Sequence, residues 1–397
     1  MLRTYTVGIL LLTSALAGCR PSPSAEKGAL PGKPPPPVTR QAGAETPDRP
    51  PEKPPLPPGG VRGLYLTGWS AGSSRKMAQV IDLIQRTELN AVVIDVRDDG
   101  EISYEVDVPL ARQAGAIRKM IPDIDKLMAT LKKHDIFPIA RITCFRDKIL
   151  PRKRPDLAVQ TPDGRVWKDP AGHTWLNPYK KENWDYAVDV ARDAIKRGFK
   201  EIQFDYIRFP SEGAVTRIRY PGKPAGSRRK DQIEAFIRYA SEKLRAEGVW
   251  ISADVFGLVC ITKDDMGIGQ TATNVARHVD YLCPMVYPSH YAYGEYGMPD
   301  PNKQPYRTVL LSLRDELKKL RAEKLKTKLR PWLQDFSLRG VRYGVAEVRA
   351  QHRALRELGI TEYLLWNAAN RYTEAAIPKA RPALPTKMAA NASRATP

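Results

Sequence analysis

Three aspartates stand where apolar runs of the sequence end. Asp205 lies in Glu201-Ile-Gln-Phe-Asp-Tyr-Ile-Arg-Phe-Pro210, Asp254 follows Ala253, and Asp335 follows Gln334. A carboxylate in a buried strand is costly to desolvate unless it is paired or sits at the strand's C-terminal mouth. The mouth is where barrel enzymes keep their chemistry. Glycosidic bond cleavage needs two carboxyl groups, one protonated and one ionised, about 5 Å apart for retention or roughly 6.5 to 9.5 Å apart for inversion. Neighbouring strands about 4.8 Å apart would present Asp205 and Asp254 to one another with that geometry. Their repulsion would raise one pKa, making Asp205 the nucleophile and Asp254 the general acid. Asp335, across the mouth, would orient hydroxyls or stabilise positive charge at the anomeric carbon.

Arg208 comes three residues after Asp205, on the opposite side of an ideal strand. Turned inward by a twist or bulge, it would keep Asp205 ionised. The alternative for the pair is a structural salt bridge with no chemistry. Asp95, in Val93-Ile-Asp-Val-Arg97, shares a face with Arg97 and reads as half of a barrel-interior ion pair that reaches substrate only from the top layer. Trp69, Trp167, Trp175, Tyr287, Tyr291, Tyr293, Tyr296, Trp332 and Trp366 fall on or near the same loops, and aromatic rings stack on the C–H faces of sugars. Trp184, at the start of a helix, is expected to pack instead. The expected substrate contacts are Trp69, Asp95, Trp175, Asn177, Arg208, Tyr287, His290, Trp332 and Trp366. Residues 211–230 add six basic side chains, Arg217, Arg219, Lys223, Arg228, Arg229 and Lys230, against Glu212 alone. Beside the cleft they would attract an anionic glycan, and elsewhere they are solvated surface.

Positioning these groups falls to eight apolar, β-rich runs at 61–68, 91–97, 137–144, 201–209, 250–257, 281–287, 329–336 and 362–367. Continuous hydrophobicity suits parallel strands buried on both faces. Helical patterns lie between them at 74–87, 124–134, 183–197, 232–247, 273–278, 308–324 and 345–358. The alternation predicts an α/β fold, a (β/α)8 TIM barrel over 61–377. A doubly wound open sheet is the rival, but no Gly-rich turn follows the first strand as a dinucleotide cofactor would require. Long segments at 98–122, 145–178, 210–230 and 288–305 become βα loops that wall a cleft on the catalytic face.

Residues 1–19 carry one basic residue, a short apolar run and Leu16-Ala-Gly-Cys19, a pattern resembling the lipobox of exported lipoproteins. That implies lipidation at Cys19 and a lipid-anchored place in the cell envelope, with Arg20 favouring the outer membrane. Residues 20–60 hold 14 prolines and no aromatic residue, a disordered tether, and 378–397 form a disordered tail. The net charge of +20 suits anionic glycans, lipopolysaccharide phosphates or peptidoglycan carboxylates, and an exported protein does not meet nucleic acid. Cys144, Cys260 and Cys283 lack metal-ligand spacing and there are five histidines, so neither a metal nor a cofactor is expected. These thiols are expected to be buried and free, with a Cys260–Cys283 disulfide as the alternative.

Six words of the sequence resemble a bacterial family of glycoside-hydrolase-like domains, long known only as a domain of unknown function and distantly related to the α-amylase superfamily. They are Gly63-Leu-Tyr-Leu-Thr-Gly-Trp-Ser70, Val93-Ile-Asp-Val-Arg97, Trp175-Leu-Asn-Pro178, Phe204-Asp-Tyr-Ile-Arg-Phe-Pro210, Met285-Val-Tyr-Pro-Ser-His-Tyr291 and Trp332-Leu-Gln-Asp-Phe336. The resemblance implies a barrel and sugar chemistry. In the α-amylase superfamily the nucleophile ends strand four, a Glu after strand five is the acid, and an Asp after strand seven stabilises charge. Asp205 and Asp335 match. Strand five offers Asp254 in place of Glu, which leaves Glu212 and Glu295 as alternative acids. The expected function is a glycoside hydrolase or transglycosidase acting on a cell-envelope or extracellular polysaccharide, and the rival is a glycan-binding lipoprotein without catalysis.

Overall fold

The computed structural model describes residues 51–380. Cys19, the export segment, most of the tether and nearly all of the tail lie outside them. Eight parallel strands close on themselves: β1 (Arg62–Leu66), β2 (Ala91–Asp98), β3 (Phe137–Thr143), β4 (Glu201–Asp205), β5 (Trp250–Phe256), β6 (Tyr281–Met285), β7 (Lys328–Leu329 and Trp332–Gln334) and β8 (Tyr363–Trp366). Each pairs with the next, and β8 returns to β1 through Arg62 opposite Tyr363. Pro331 interrupts β7, as a residue without an amide hydrogen must.

Among the described residues, and apart from short helices in the loops at Gly68–Gly72, Pro109–Ala114 and Leu150–Lys153, seven helices surround the barrel: α1 (Ser74–Arg86), α2 (Ile124–Lys133), α3 (Lys181–Arg197), α4 (Arg229–Arg245), α5 (Ala272–Ala276), α6 (Pro305–Ala322) and α7 (Val345–Glu357). Ser73 and Asp123 cap α1 and α2 through side-chain oxygens, as their position before an amphipathic run predicts. After β8 the chain runs back without a full helix and pairs Lys379 with Thr87 beside the end of α1. The fold is therefore a (β/α)8 barrel lacking its last helix among the described residues.

Alternation along the strands divides the core into two. Val61, Ala91, Val93, Phe137, Ile139, Cys283, Trp332 and Leu364 fill the barrel, and a larger apolar shell lies between strands and helices. The barrel interior also carries charge. Near its floor, Arg330 pairs with Glu201, both fully buried, while Ser252 donates to Glu201 at 2.5 Å.

Residues 51–60, expected to be disordered tether, instead cover the floor. Lys53 pairs with Asp280 at 2.5 Å and sits over the Trp250 ring, the Trp250 indole donates to the Pro54 carbonyl at 2.8 Å, and Leu56 packs on the inner core. Prolines lose little backbone freedom on ordering, which helps this short segment dock. Cys144, Cys260 and Cys283 are buried free thiols. Cys283 faces Gln203 inside the barrel, whereas Cys260 lies in the turn after β5, so no disulfide joins them.

Candidate active site

The C-terminal mouth holds a buried charge cluster built around a residue that the carboxylate pattern alone overlooks. Arg141 sits on the inward face of β3, two positions beyond Ile139 in an otherwise apolar strand, and is 3 % exposed. Its Nε and Nη2 donate to Asp205 Oδ2 at 2.9 and 2.6 Å, and its Nη1 donates to Asp95 at 2.5 Å and Asp98 at 3.2 Å. Burial works against the Arg141 charge, but the carboxylates of Asp205, Asp95 and Asp98 outweigh it. The Tyr65 hydroxyl donates to the other oxygen of Asp95. Burial pushes the Asp95 carboxyl up to about 7, helped by Asp98 and opposed by Arg141 and Tyr65.

A bulge in β2 accounts for the partner of Asp95. The β2–β3 register shifts between Asp95 and Arg97, so Arg97 leaves the face that Asp95 occupies. It lies over the Tyr186 ring of α3 and pairs with Asp147 at 2.5 Å. The expected Asp95–Arg97 pair is thus replaced by Asp95–Arg141.

The chain turns sharply after Asp205. Tyr206 takes φ of 50°, a left-handed conformation costly for a residue with a Cβ. Its amide donates to Asp205 Oδ1 at 2.6 Å. That turn brings Arg208 to the mouth, where it lines the cleft between the rings of Trp175, Tyr206 and Phe256, at 4.8, 5.1 and 4.6 Å. The expected ion pair of Arg208 with Asp205 does not form, because Arg141 occupies the carboxylate.

Asp254 comes alongside Asp205, one step beyond the Phe204–Ala253 pairing of β4 and β5. It is 1 % exposed, accepts from the Trp332 indole at 2.8 Å, and leaves Oδ2 without a partner. Burial, then the negative charge of Asp205, raises its pKa well above the carboxylate range. Both causes favour the protonated form of Asp254 beside its neighbour.

Above this cluster opens a cleft of about 390 Å³, within the size range of small-ligand sites. Asp205, Arg141, Arg208, Tyr287, His290 and Trp366 line it, with Phe256, Leu258, Met266 and Met285 as an apolar wall and Glu212 at the rim. Gly257 permits the close approach of β5 and β6, since a Cβ there would lie 2.5 Å from the Met285 carbonyl oxygen.

The remaining expected contacts lie elsewhere. Asp254 is sealed beneath the cleft, and Trp332 is fully buried as its hydrogen-bond donor. Asp335 turns toward the last loop, where Thr373 donates to it through N and Oγ1 at 2.7 and 2.6 Å. Trp175 is buried beneath Arg208. Asn177, also buried, ties the loop after β3 to the Pro221 carbonyl at 2.9 Å. Trp69 is 66 % exposed and outside the cleft lining. Among the other aromatic candidates, Trp167 is buried, Tyr291 lies in the cleft wall and accepts from Ser312 Oγ at 2.8 Å, and Trp184 packs on Phe236 and Tyr239 as expected. Arg141 and Tyr65 were the missed members. Arg141 had a readable signal, a lone charge at an inward position of an apolar strand.

Residues 63–372 match the family described as "Putative glycosyl hydrolase domain". Among solved structures, the glycoside hydrolase domain of PgaB (BpsB) from Bordetella bronchiseptica superposes with a TM-score of 0.53 at 16% identity, covering 79% of this chain and 94% of that one. A hypothetical protein from Ruminiclostridium thermocellum ATCC 27405 is 39% identical over 52% of this chain and 98% of its own, with a TM-score of 0.45. An α-galactosidase from Thermus thermophilus aligns at 15% identity over 79% of this chain and 59% of that one, with a TM-score of 0.49. No curated protein sequence matches significantly. With more than half of its length matched, the chain belongs to the family of "Putative glycosyl hydrolase domain" proteins.

Proposed function

We propose that the chain is a glycoside hydrolase or transglycosidase in which Asp205 acts at the anomeric carbon and Glu212 reaches the glycosidic oxygen. The observation that carries this reading is the Arg141-clamped Asp205 at the base of a cleft whose lining includes one other carboxylate, Glu212. An acid catalyst must come within hydrogen-bond reach of the leaving oxygen. Glu212, exposed on the loop after β4, meets that requirement better than Asp254, which is sealed beneath the cleft, or Glu295, which lies outside the lining. Asp254 serves as a buried neighbour beneath Asp205, with its pKa raised.

Tyr287, His290 and Trp366 then provide hydrogen-bonding and stacking surface for the sugar. The membership in a glycosyl-hydrolase family and the barrel shared with the PgaB glycoside hydrolase domain support the same class of chemistry. The lipobox-like Leu16-Ala-Gly-Cys19 motif supports a lipid-anchored envelope protein, and hence an envelope or extracellular polysaccharide as substrate.

A leaving-group series tests the acid. Aryl glycosides with good leaving groups need little protonation, so Glu212→Gln is expected to lose about a hundredfold or more on poor leaving groups and little on good ones. Equal losses on both would remove Glu212 from the role. The same split in Asp254→Asn, absent in Glu212→Gln, would return the acid to Asp254.

A further inference from the structure

The other buried guanidiniums of this barrel have carboxylate partners: Arg97 has Asp147, Arg141 has Asp205 and Asp95, and Arg330 has Glu201. Arg208 differs. It is 5 % exposed, and no carboxylate lies within ion-pairing distance of it among the described residues. Its Nη1 donates to the Phe209 carbonyl and Ser211 Oγ at 3.2 and 3.1 Å, while Nε is buried with no hydrogen-bond partner. Three aromatic rings pack around the group and shield it from water. Cation–π contact and the more distant charges of Asp205 and Glu212 recover part of the desolvation cost, but burial still outweighs them and holds the guanidinium below its ordinary pKa. The group lines the cleft beside Asp205.

We propose that Arg208 makes this cleft a site for an acidic sugar, a uronate whose carboxylate completes the charge of the guanidinium. A planar carboxylate matches one edge of the fork, and Nη1 is already engaged by protein oxygens. The basic loop at 211–230 is not the source of this preference. Arg228 pairs with Asp231, Arg229 donates to the Gly267 carbonyl, and none of the loop's six basic side chains lines the cleft. The inference rests on reading the cleft as a glycan site, but its readout does not depend on turnover.

Calorimetric titration of the full chain carrying Asp205→Asn measures it directly. The probes are hexamers of galacturonate, mannuronate and glucuronate, each beside its carboxyl-reduced neutral counterpart. At least one acidic hexamer is expected to bind about tenfold or more tighter than its reduced partner, with the gap closed in Arg208→Gln and partly kept in Arg208→Lys. Equal binding of every acidic and reduced pair, or no binding of any acidic hexamer, overturns the proposal. A gap that survives in folded Arg208→Gln does the same. Equal weakening of acidic and neutral ligands in Arg208→Lys also overturns it, since that result assigns Arg208 to holding Glu212 or the cleft wall. If Arg208→Gln fails to fold, the acidic-to-reduced ratio in Arg208→Lys decides. Uronate binding without hydrolysis by the native chain would keep this proposal and remove the hydrolase reading. Hydrolysis confined to neutral glycans, with no uronate bound, would do the reverse.

Discussion

At the mouth of the barrel one guanidinium serves two buried carboxylates, and a third carboxyl lies buried beside them with its pKa raised. Arg141 takes Asp205 through two nitrogens and Asp95 through the third. The consequence for Asp254 can be measured as stability. Its folded pKa is raised by burial and by Asp205, whereas in the unfolded chain it ionises near the ordinary value of about 3.9. Below that pH both states hold the proton and Asp254 takes nothing from the fold. As pH rises, the unfolded chain releases the proton first, so stability from this group is lost progressively up to the folded pKa. Asp254→Asn keeps an acceptor for Trp332 and offers an N–H at the unpartnered Oδ2 position. The variant is therefore expected to match the native chain near pH 4 and to melt at higher temperature near pH 8. Thermal melts across that range check it, and a lower melting temperature at pH 8 contradicts a raised pKa at Asp254.

The elements show what a linear pattern conveys and where it stops. Strands such as Ala91–Asp98 and Phe137–Thr143 were legible because both of their faces are buried, giving long apolar runs bounded by helices. The partners of their charged residues were not. A one-residue bulge in β2 sends Arg97 to the helix layer, and the left-handed Tyr206 swings Arg208 to the mouth, both departures from strict alternation. Asp335 matched a strand-end expectation in position but was claimed by Thr373, 38 residues later, a contact no local spacing encodes. Residues 51–60 read as tether because proline-rich composition carries no sign of docking. At the opposite end of β4 and β7, Glu201 and Arg330 form a buried pair remote from the cleft lining. Arg330→Ala leaves Glu201 uncompensated and is expected to cost about 3–5 kcal/mol. Replacing both partners, as Glu201→Gln with Arg330→Met, should recover most of it. Urea unfolding of the three chains measures this, and a single variant as stable as the native chain would contradict the pairing.

For the whole molecule, the barrel is open at the catalytic mouth and covered at the floor by residues 51–60. Removing that cover exposes part of the inner core, breaks the Lys53–Asp280 pair and leaves the Trp250 indole without its acceptor. A chain beginning at Val61 is expected to be about 2–4 kcal/mol less stable to urea than one beginning at Pro51, and equal midpoints would show that the floor segment contributes nothing. At the mouth, the proposed chemistry depends on one carboxylate, Asp205. The direct test is release of reducing ends from a panel of neutral and acidic polysaccharides by the native chain and by Asp205→Asn, with circular dichroism confirming that both are folded. Turnover of at least one polysaccharide is expected from the native chain, with a loss of about a thousandfold or more in the variant. Comparable turnover by the two folded chains, or glycan binding without any turnover by the native chain, would contradict it.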